Sequence, residues 1–133
     1  MINLFTKCIS LSVGGNVGSA CWSIACYLQY NPIVLVGMDL GHPNKGAMEE
    51  YRRIHNPGEQ YTYKRGWNSE FKCGYFMTTD FETYRINLLE WTKFMKSAGG
   101  INTINCSGQG SLHGAGVKCM PFKDYIKSQG GRR

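Results

Sequence analysis

Ser12 to Pro43 reads SVGGNVGSACWSIACYLQYNPIVLVGMDLGHP, and its order of glycine turn, helical run, buried strand and acid decides the fold class. From Val17 the apolar residues fall at 17, 20, 21, 24, 25 and 28, the spacing of a helix packed along one face. Asn16 is placed to cap its start. Tyr30-Asn31-Pro32 ends it, because the residue before a proline avoids helical backbone. IVLVG (33–37) is a short unbroken aliphatic run, the pattern of a strand covered on both faces in a parallel sheet. CISLSV (8–13) alternates as a strand would, so strand, helix and strand form a right-handed βαβ unit.

Working downstream, residues 41–70 carry Pro, Gly, Asn and charge without a sustained period, and read as an irregular excursion over the binding face with a short helix at 46–54. Phe71 to Met77 reads as a third strand. Thr79 is the expected N-cap of a long helix, with Glu82 completing a capping box. Phe81, Tyr84, Leu88, Trp91 and Met95 share one face of that helix, which stops at Gly99-Gly100. INTIN (101–105) is a fourth strand, followed by the glycine-rich loop CSGQGSLHGAG and a short helix near 122–128. The expectation is an α/β, Rossmann-like domain over 1–128, with a mainly parallel sheet of about four strands and flanking helices, and a flexible basic tail at 129–133.

The chain of 133 residues suffices for one core and not for two ordinary domains. Its formal charge of +6 suits an anionic ligand. The excess sits at Arg52/Arg53, Lys64/Arg65 and the tail, without a long basic stripe interleaved with aromatics, which disfavours nucleic acid. The six cysteines form no CxxC and no zinc spacing, and read as buried thiols of a cytoplasmic protein. No apolar run approaches the roughly 18 residues of a membrane span.

In parallel sheets ligands sit beyond the carboxyl ends of the strands. That rule gathers Gly14, Gly15, Asn16, Gly18 and Ser19, then Asp39, then Thr78 and Thr79, then Asn105, Ser107, Gly108 and Gly110, on one edge. GGNVGS opening a helix is an anion seat, since the first helical N–H groups are unpaired, although it is neither GxGxxG nor a P-loop. Asp39 can hold Mg²⁺, a ribose hydroxyl or a substrate N–H, and a turn acid is the plainer alternative. His113 is the histidine best placed for phosphate contact or proton transfer, so Asp39 and His113 are the candidate catalytic residues.

GGNVGSACWSIACYLQYNPIVLVGMDL, GYFMTTDFETYRINLLEWTKF and INTINCSGQGSLHGAGVKCMPFKDYI resemble, in order, the 6-hydroxymethylpterin pyrophosphokinase-like family, which includes the flagellin-glycosylating motility accessory factors. The first block is also similar to the strand end of bacterial CMP-sugar sialyltransferases. The stretches correspond to the C-terminal half of the family's domain, which implies a truncated doubly wound fold working with a partner chain or a second copy. The resemblance implies a nucleotide or nucleotide-sugar donor, a small-molecule or glycan acceptor, and Mg²⁺ on Asp39. Two functions follow from it. One is a transferase, moving diphosphate from ATP or a glycosyl group from a nucleotide sugar; the other is a non-catalytic nucleotide-binding module or subunit. The family's Gly-Gly near the last strand is GQG here (Gly108, Gln109, Gly110).

Overall fold

The computed structural model describes residues 14–58 and 62–130. Helix α1 (Val17–Tyr27) leads to strand β1 (Ile33–Leu35), then helix α2 (Lys45–His55) and the strands β2 (Tyr63–Asn68) and β3 (Cys73–Thr78). Helix α3 (Thr79–Gly99), strands β4 (Thr103–Asn105) and β5 (Val117–Cys119), and helix α4 (Phe122–Gln129) complete it. The expected strand at 8–13 and the end of the basic tail lie outside the described residues.

Among the described residues the main sheet has three strands in the order β1-β4-β5, both pairs parallel. The chain is thus mixed α/β with a small parallel sheet. The run at 71–77 does become a strand, but it does not join that sheet. β3 pairs antiparallel with β2 in a separate hairpin, Tyr63 opposite Thr78 and Asn68 opposite Cys73. The reversal is local. Asn68 Oδ1 accepts from the N–H groups of Glu70 and Phe71 at 3.0 and 3.1 Å, a side-chain turn that sends the chain straight back along itself. The third sheet strand is instead β5, which the glycine content of 106–116 concealed from the pattern.

α1 forms where its spacing predicts, yet the face it buries differs. Ser19, Trp22, Ser23 and Cys26 are buried, while Val17 is 79% and Leu28 55% exposed, and Cys21 and Ile24 also face outward. Trp22 decides the rotation. Its indole N–H donates to Thr103 Oγ1 on β4 at 2.9 Å, and its ring stacks on Trp91 of α3 at 6.5 Å between centroids. A buried indole needs a hydrogen-bond acceptor as well as apolar contact, and this orientation supplies both. Trp22, Cys26, Ile33, Leu35, Leu88, Ile101 and Leu112 make the core, flanked by Trp91 and Met95 from the face predicted for α3.

α3 ends as expected, with Gly100 in the left-handed conformation at φ 66°. Its start differs. Thr78, not Thr79, occupies the cap, without a side-chain cap bond, and Glu82 is drawn to Lys64 on the hairpin at 2.7 Å rather than back to the helix start. α2 covers one face of the hairpin and buries Met48, so the excursion at 41–70 is more regular than its composition suggests. Among the described residues no helix is long and apolar enough to cross a membrane.

Candidate functional site

β1 and β4 run side by side in register, Leu35 beside Asn105, so the loops that follow them leave the sheet together. The two loops are stitched to each other. Ser107 Oγ accepts from the Met38 N–H at 3.0 Å, and the Ser107 N–H donates to Asn105 Oδ1 at 2.9 Å. Asn105 is fully buried, and its amide donates to the Leu112 carbonyl at 2.7 Å. Ser111 donates twice, through N–H to the Asp39 carbonyl at 2.7 Å and through Oγ to the Leu40 carbonyl at 2.6 Å. Between these anchors Leu40 is held at φ 46°. Left-handed backbone costs a non-glycine residue about 1–2 kcal/mol, and such conformations persist where surrounding bonds over-determine them, often at ligand sites.

Gly110, at φ 87°, lies against the Asp39 backbone, and a Cβ there would stand 2.6 Å from Asp39 Cα. Only glycine permits that approach. Asn105, Ser107 and Gly110 therefore act in the structure as the frame that fixes Asp39.

The glycine turn comes in from the other side. Asn16 caps α1 as predicted, its Oδ1 accepting from the Ser19 N–H at 3.0 Å. Gly14 packs against Ser19 and Trp91, Gly15 against the Tyr84 ring of α3, and Gly18 against the Met38 side chain, next in sequence to Asp39. The turn and Asp39 thus share one edge.

Two polar atoms there are buried and have no partner, Asn16 Nδ2 and Asp39 Oδ1. Asp39 Oδ2 is occupied, accepting from Gln109 Nε2 at 2.7 Å. Leaving a polar group buried and unpaired costs about 1–3 kcal/mol, so an edge with a spare donor and a spare acceptor is suited to a ligand that offers both.

Other expected residues lie elsewhere. Thr78 ends the hairpin strand β3 rather than a strand of the parallel sheet, and Thr79 opens α3 with its Oγ1 3.1 Å from Thr62 Oγ1. Gly108, at φ 82°, would meet nothing within 4 Å if given a side chain. His113 turns to the hairpin, its ring edge-on to Tyr75 at 6.4 Å, while its carbonyl accepts from Arg85. Burial first, and then the nearby Arg85 cation, lower its pKa below the usual histidine range. His42, three residues after Asp39, stacks on Phe81 at 5.3 Å, has a buried and unpaired Nε2, and is likewise shifted down by burial.

Three contributors escaped the pattern. Gln109 holds Asp39. Arg85 holds the glycine-rich loop, donating to the Ser111 carbonyl at 2.7 Å. Asn68 ties the hairpin to the Gly110 carbonyl at 2.9 Å. Only Gln109 left a trace in the sequence, as the residue interrupting a glycine pair.

Among the described residues no group of three or more His, Cys, Asp or Glu side chains is arranged to hold a metal. Magnesium is commonly bound by one or two carboxylates with the remainder supplied by phosphates and water. Asp39 Oδ1 fits that role as a single protein ligand.

A cleft of about 400 Å³, lined by Asn31, Asn102, Lys96, Lys118, Met120 and Tyr125, runs from the amino ends of β1 and β4 along β5 beside α4. Neither the glycine turn nor Asp39 lines it. No family model, curated protein or solved structure matches the chain.

Proposed function

We propose that the carboxyl edge of the sheet is the nucleotide pocket of a transferase with a Rossmann-like, doubly wound ancestry. The observation that carries this reading is the pair of buried, unpaired atoms Asn16 Nδ2 and Asp39 Oδ1 beside a glycine turn at a helix start. The sequence resemblance to the 6-hydroxymethylpterin pyrophosphokinase-like family supports the same class of ligand.

In this reading the donor's phosphates rest on the helix-start N–H groups ahead of Ser19, where helix-end amides and the helix dipole favour negative charge; the N–H of Ser19 itself is taken by Asn16 Oδ1. Asp39 anchors the ligand, and the Ser107, Ser111 and Gly110 frame keeps it in place. Magnesium, when bound, would neutralise phosphate charge. Transfer of a phosphoryl or glycosyl group from such donors depends largely on positioning and on preorganised electrostatics. The chain's contribution is accordingly a rigid seat. The second reading, a nucleotide-binding module without turnover, draws on the same edge. It is favoured by how few candidate acid–base groups gather there, since His113 contacts the hairpin.

Calorimetric titration with ATP, CMP, a CMP-sugar and a UDP-sugar, each with and without Mg²⁺, tests the pocket and names its donor. Selective binding followed by product formation with an acceptor establishes the transferase, and binding without product establishes the module. No binding to the folded chain removes both.

A further inference from the structure

We propose that the cleft beside α4 is a second ligand site, one that takes a small organic acid with an apolar or aromatic body. The inference is independent of the nucleotide reading, because neither the glycine turn nor Asp39 lines the cleft. Its volume of about 400 Å³ falls within the roughly 300–1,000 Å³ of small-molecule sites.

The cleft exists because α4 does not close on the sheet. Ile104 of β4 stands in register between Val34 of β1 and Lys118 of β5, so one face of the sheet carries an apolar pair followed by a cation. A helix that covered this face would bury an apolar stripe of its own. α4 buries none of its residues, and Ile126 remains 52% exposed. The space left between them is lined on its apolar side by Ile104, Pro32 and Met120, with Tyr125 contributed by the helix.

The charged groups of the cleft have one sign. Lys96 of α3 and Lys118 line it, and no Asp or Glu is among the described residues that do. Among the described residues neither lysine has an ion pair. Lys96 lies in the last turn of α3, where a cation ordinarily answers the helix end. That end is already served here, because the Gly100 carbonyl accepts from the Asn31 and Asn102 side-chain amides at 3.1 and 3.3 Å. On α4, Ser128 Oγ donates to the Tyr125 carbonyl at 2.6 Å and accepts from Gln129 Nε2 at 3.1 Å. The amides and hydroxyl of the rim are thus paired with one another, and the two ammonium groups are left for a ligand.

Two such cations call for an acidic group, and the apolar lining calls for a body attached to it. The C-terminal ends of α3 and α4 both meet the cleft, and their carbonyls oppose charge as dense as a polyphosphate's. One or two carboxylates, or a single phosphate monoester, on a ring or short aliphatic frame would engage the lysines and the lining together.

The test is calorimetric titration at low salt with phthalate and phenyl phosphate as probes, benzyl alcohol as the neutral counterpart and inorganic phosphate as the bare anion. At least one aromatic acid is expected to bind about tenfold or more tighter than benzyl alcohol and than inorganic phosphate, and the better of the two names the acid. Lys96→Gln and Lys118→Gln should each weaken that binding about fivefold, the upper end for an exposed charge pair, and added salt should weaken it further. Lys93→Gln, which removes an exposed lysine of α3 outside the cleft, should change nothing. All three variants should keep the wild-type unfolding midpoint. Equal affinity for benzyl alcohol or for inorganic phosphate overturns the inference. So does an equal loss in Lys93→Gln, which would give the binding to diffuse surface charge. Failure of both aromatic acids to bind the folded chain at about ten millimolar also overturns it, and leaves the nucleotide reading untouched.

Discussion

Gly110→Ala tests whether the glycine-rich loop is a frame for Asp39 or merely a linker, and Gly108→Ala is its internal control. Both glycines adopt positive φ, 87° and 82°, so each alanine costs about 1–2 kcal/mol in backbone conformation. They differ in surroundings. A Cβ at Gly108 meets nothing within 4 Å, whereas at Gly110 it stands 2.6 Å from Asp39 Cα and 2.7 Å from Asp39 C, backbone atoms that cannot swing aside. Relief requires the loops to part, which stretches the bond from the Ser111 N–H to the Asp39 carbonyl. Overpacking adds about 1–3 kcal/mol and the weakened hydrogen bond about 1 kcal/mol. Gly110→Ala should therefore lose about 3–6 kcal/mol in urea unfolding, against about 1–2 kcal/mol for Gly108→Ala. The Gly110 variant should also lose nucleotide binding at protein concentrations and temperatures where it remains folded. Equal destabilisation by the two alanines would refute the backbone contact and with it the frame.

Other outcomes follow from the same geometry. Ile24→Lys and Leu28→Lys lie on the exposed face of α1 and should each change stability by no more than about 0.5 kcal/mol in urea unfolding, whereas a core role for that face would make each variant unfold. His42 and His113 both have folded-state pKa values lowered chiefly by burial, so the unfolded chain takes up their protons first. Stability should hold above about pH 6.5, the unfolded value, and fall as the pH drops below it toward the lowered folded values. His42→Phe, which retains the ring contacts, should flatten that fall, as read from urea midpoints at pH 7.5 and 5.5. Among the described cysteines Cys21 is exposed, while burial pushes Cys26 and Cys119 up to about 11 and raises Cys106. Cys21 should react readily with a thiol reagent at pH 8, and the other three only on unfolding, because the thiolate is the reactive form.

How far the fold could be read from the chain depended on how local the deciding forces are. α1, β1, α3 and β4 announce themselves through periodicity, proline and terminal glycines, which act within a few residues. The carboxyl edge followed from strand polarity alone, and the glycine turn, Asp39 and the loop after β4 do meet there. What escaped depends on distant partners. The rotation of α1 is set by Trp22 reaching Thr103, eighty-one residues away, a contact invisible to an apolar stripe. The partner of β3 is set by a turn around Asn68, and its strand β2 is mostly exposed, so it carries little hydrophobic signal. The capping box at Thr79 failed because α3 is capped one residue earlier, at Thr78, which puts Phe81 rather than an acid at the third helical position, while Glu82 pairs with Lys64 on the hairpin. Gln109 looked like an interruption of a glycine motif and proved to be the residue that holds the acid.

The central claim is that ligand binds at the carboxyl edge of the sheet, and the most direct test sets that edge against the lysine-lined cleft beside α4. Affinity for the best-bound nucleotide would be measured for wild type, for Asn16→Ala and Asp39→Ala at the edge, and for Lys96→Ala and Lys118→Ala in the cleft. The edge variants are expected to weaken binding about tenfold or more each, with the cleft variants unchanged. Loss of binding in the lysine variants, with full affinity kept in Asn16→Ala and Asp39→Ala, would place the ligand in the cleft and contradict the account.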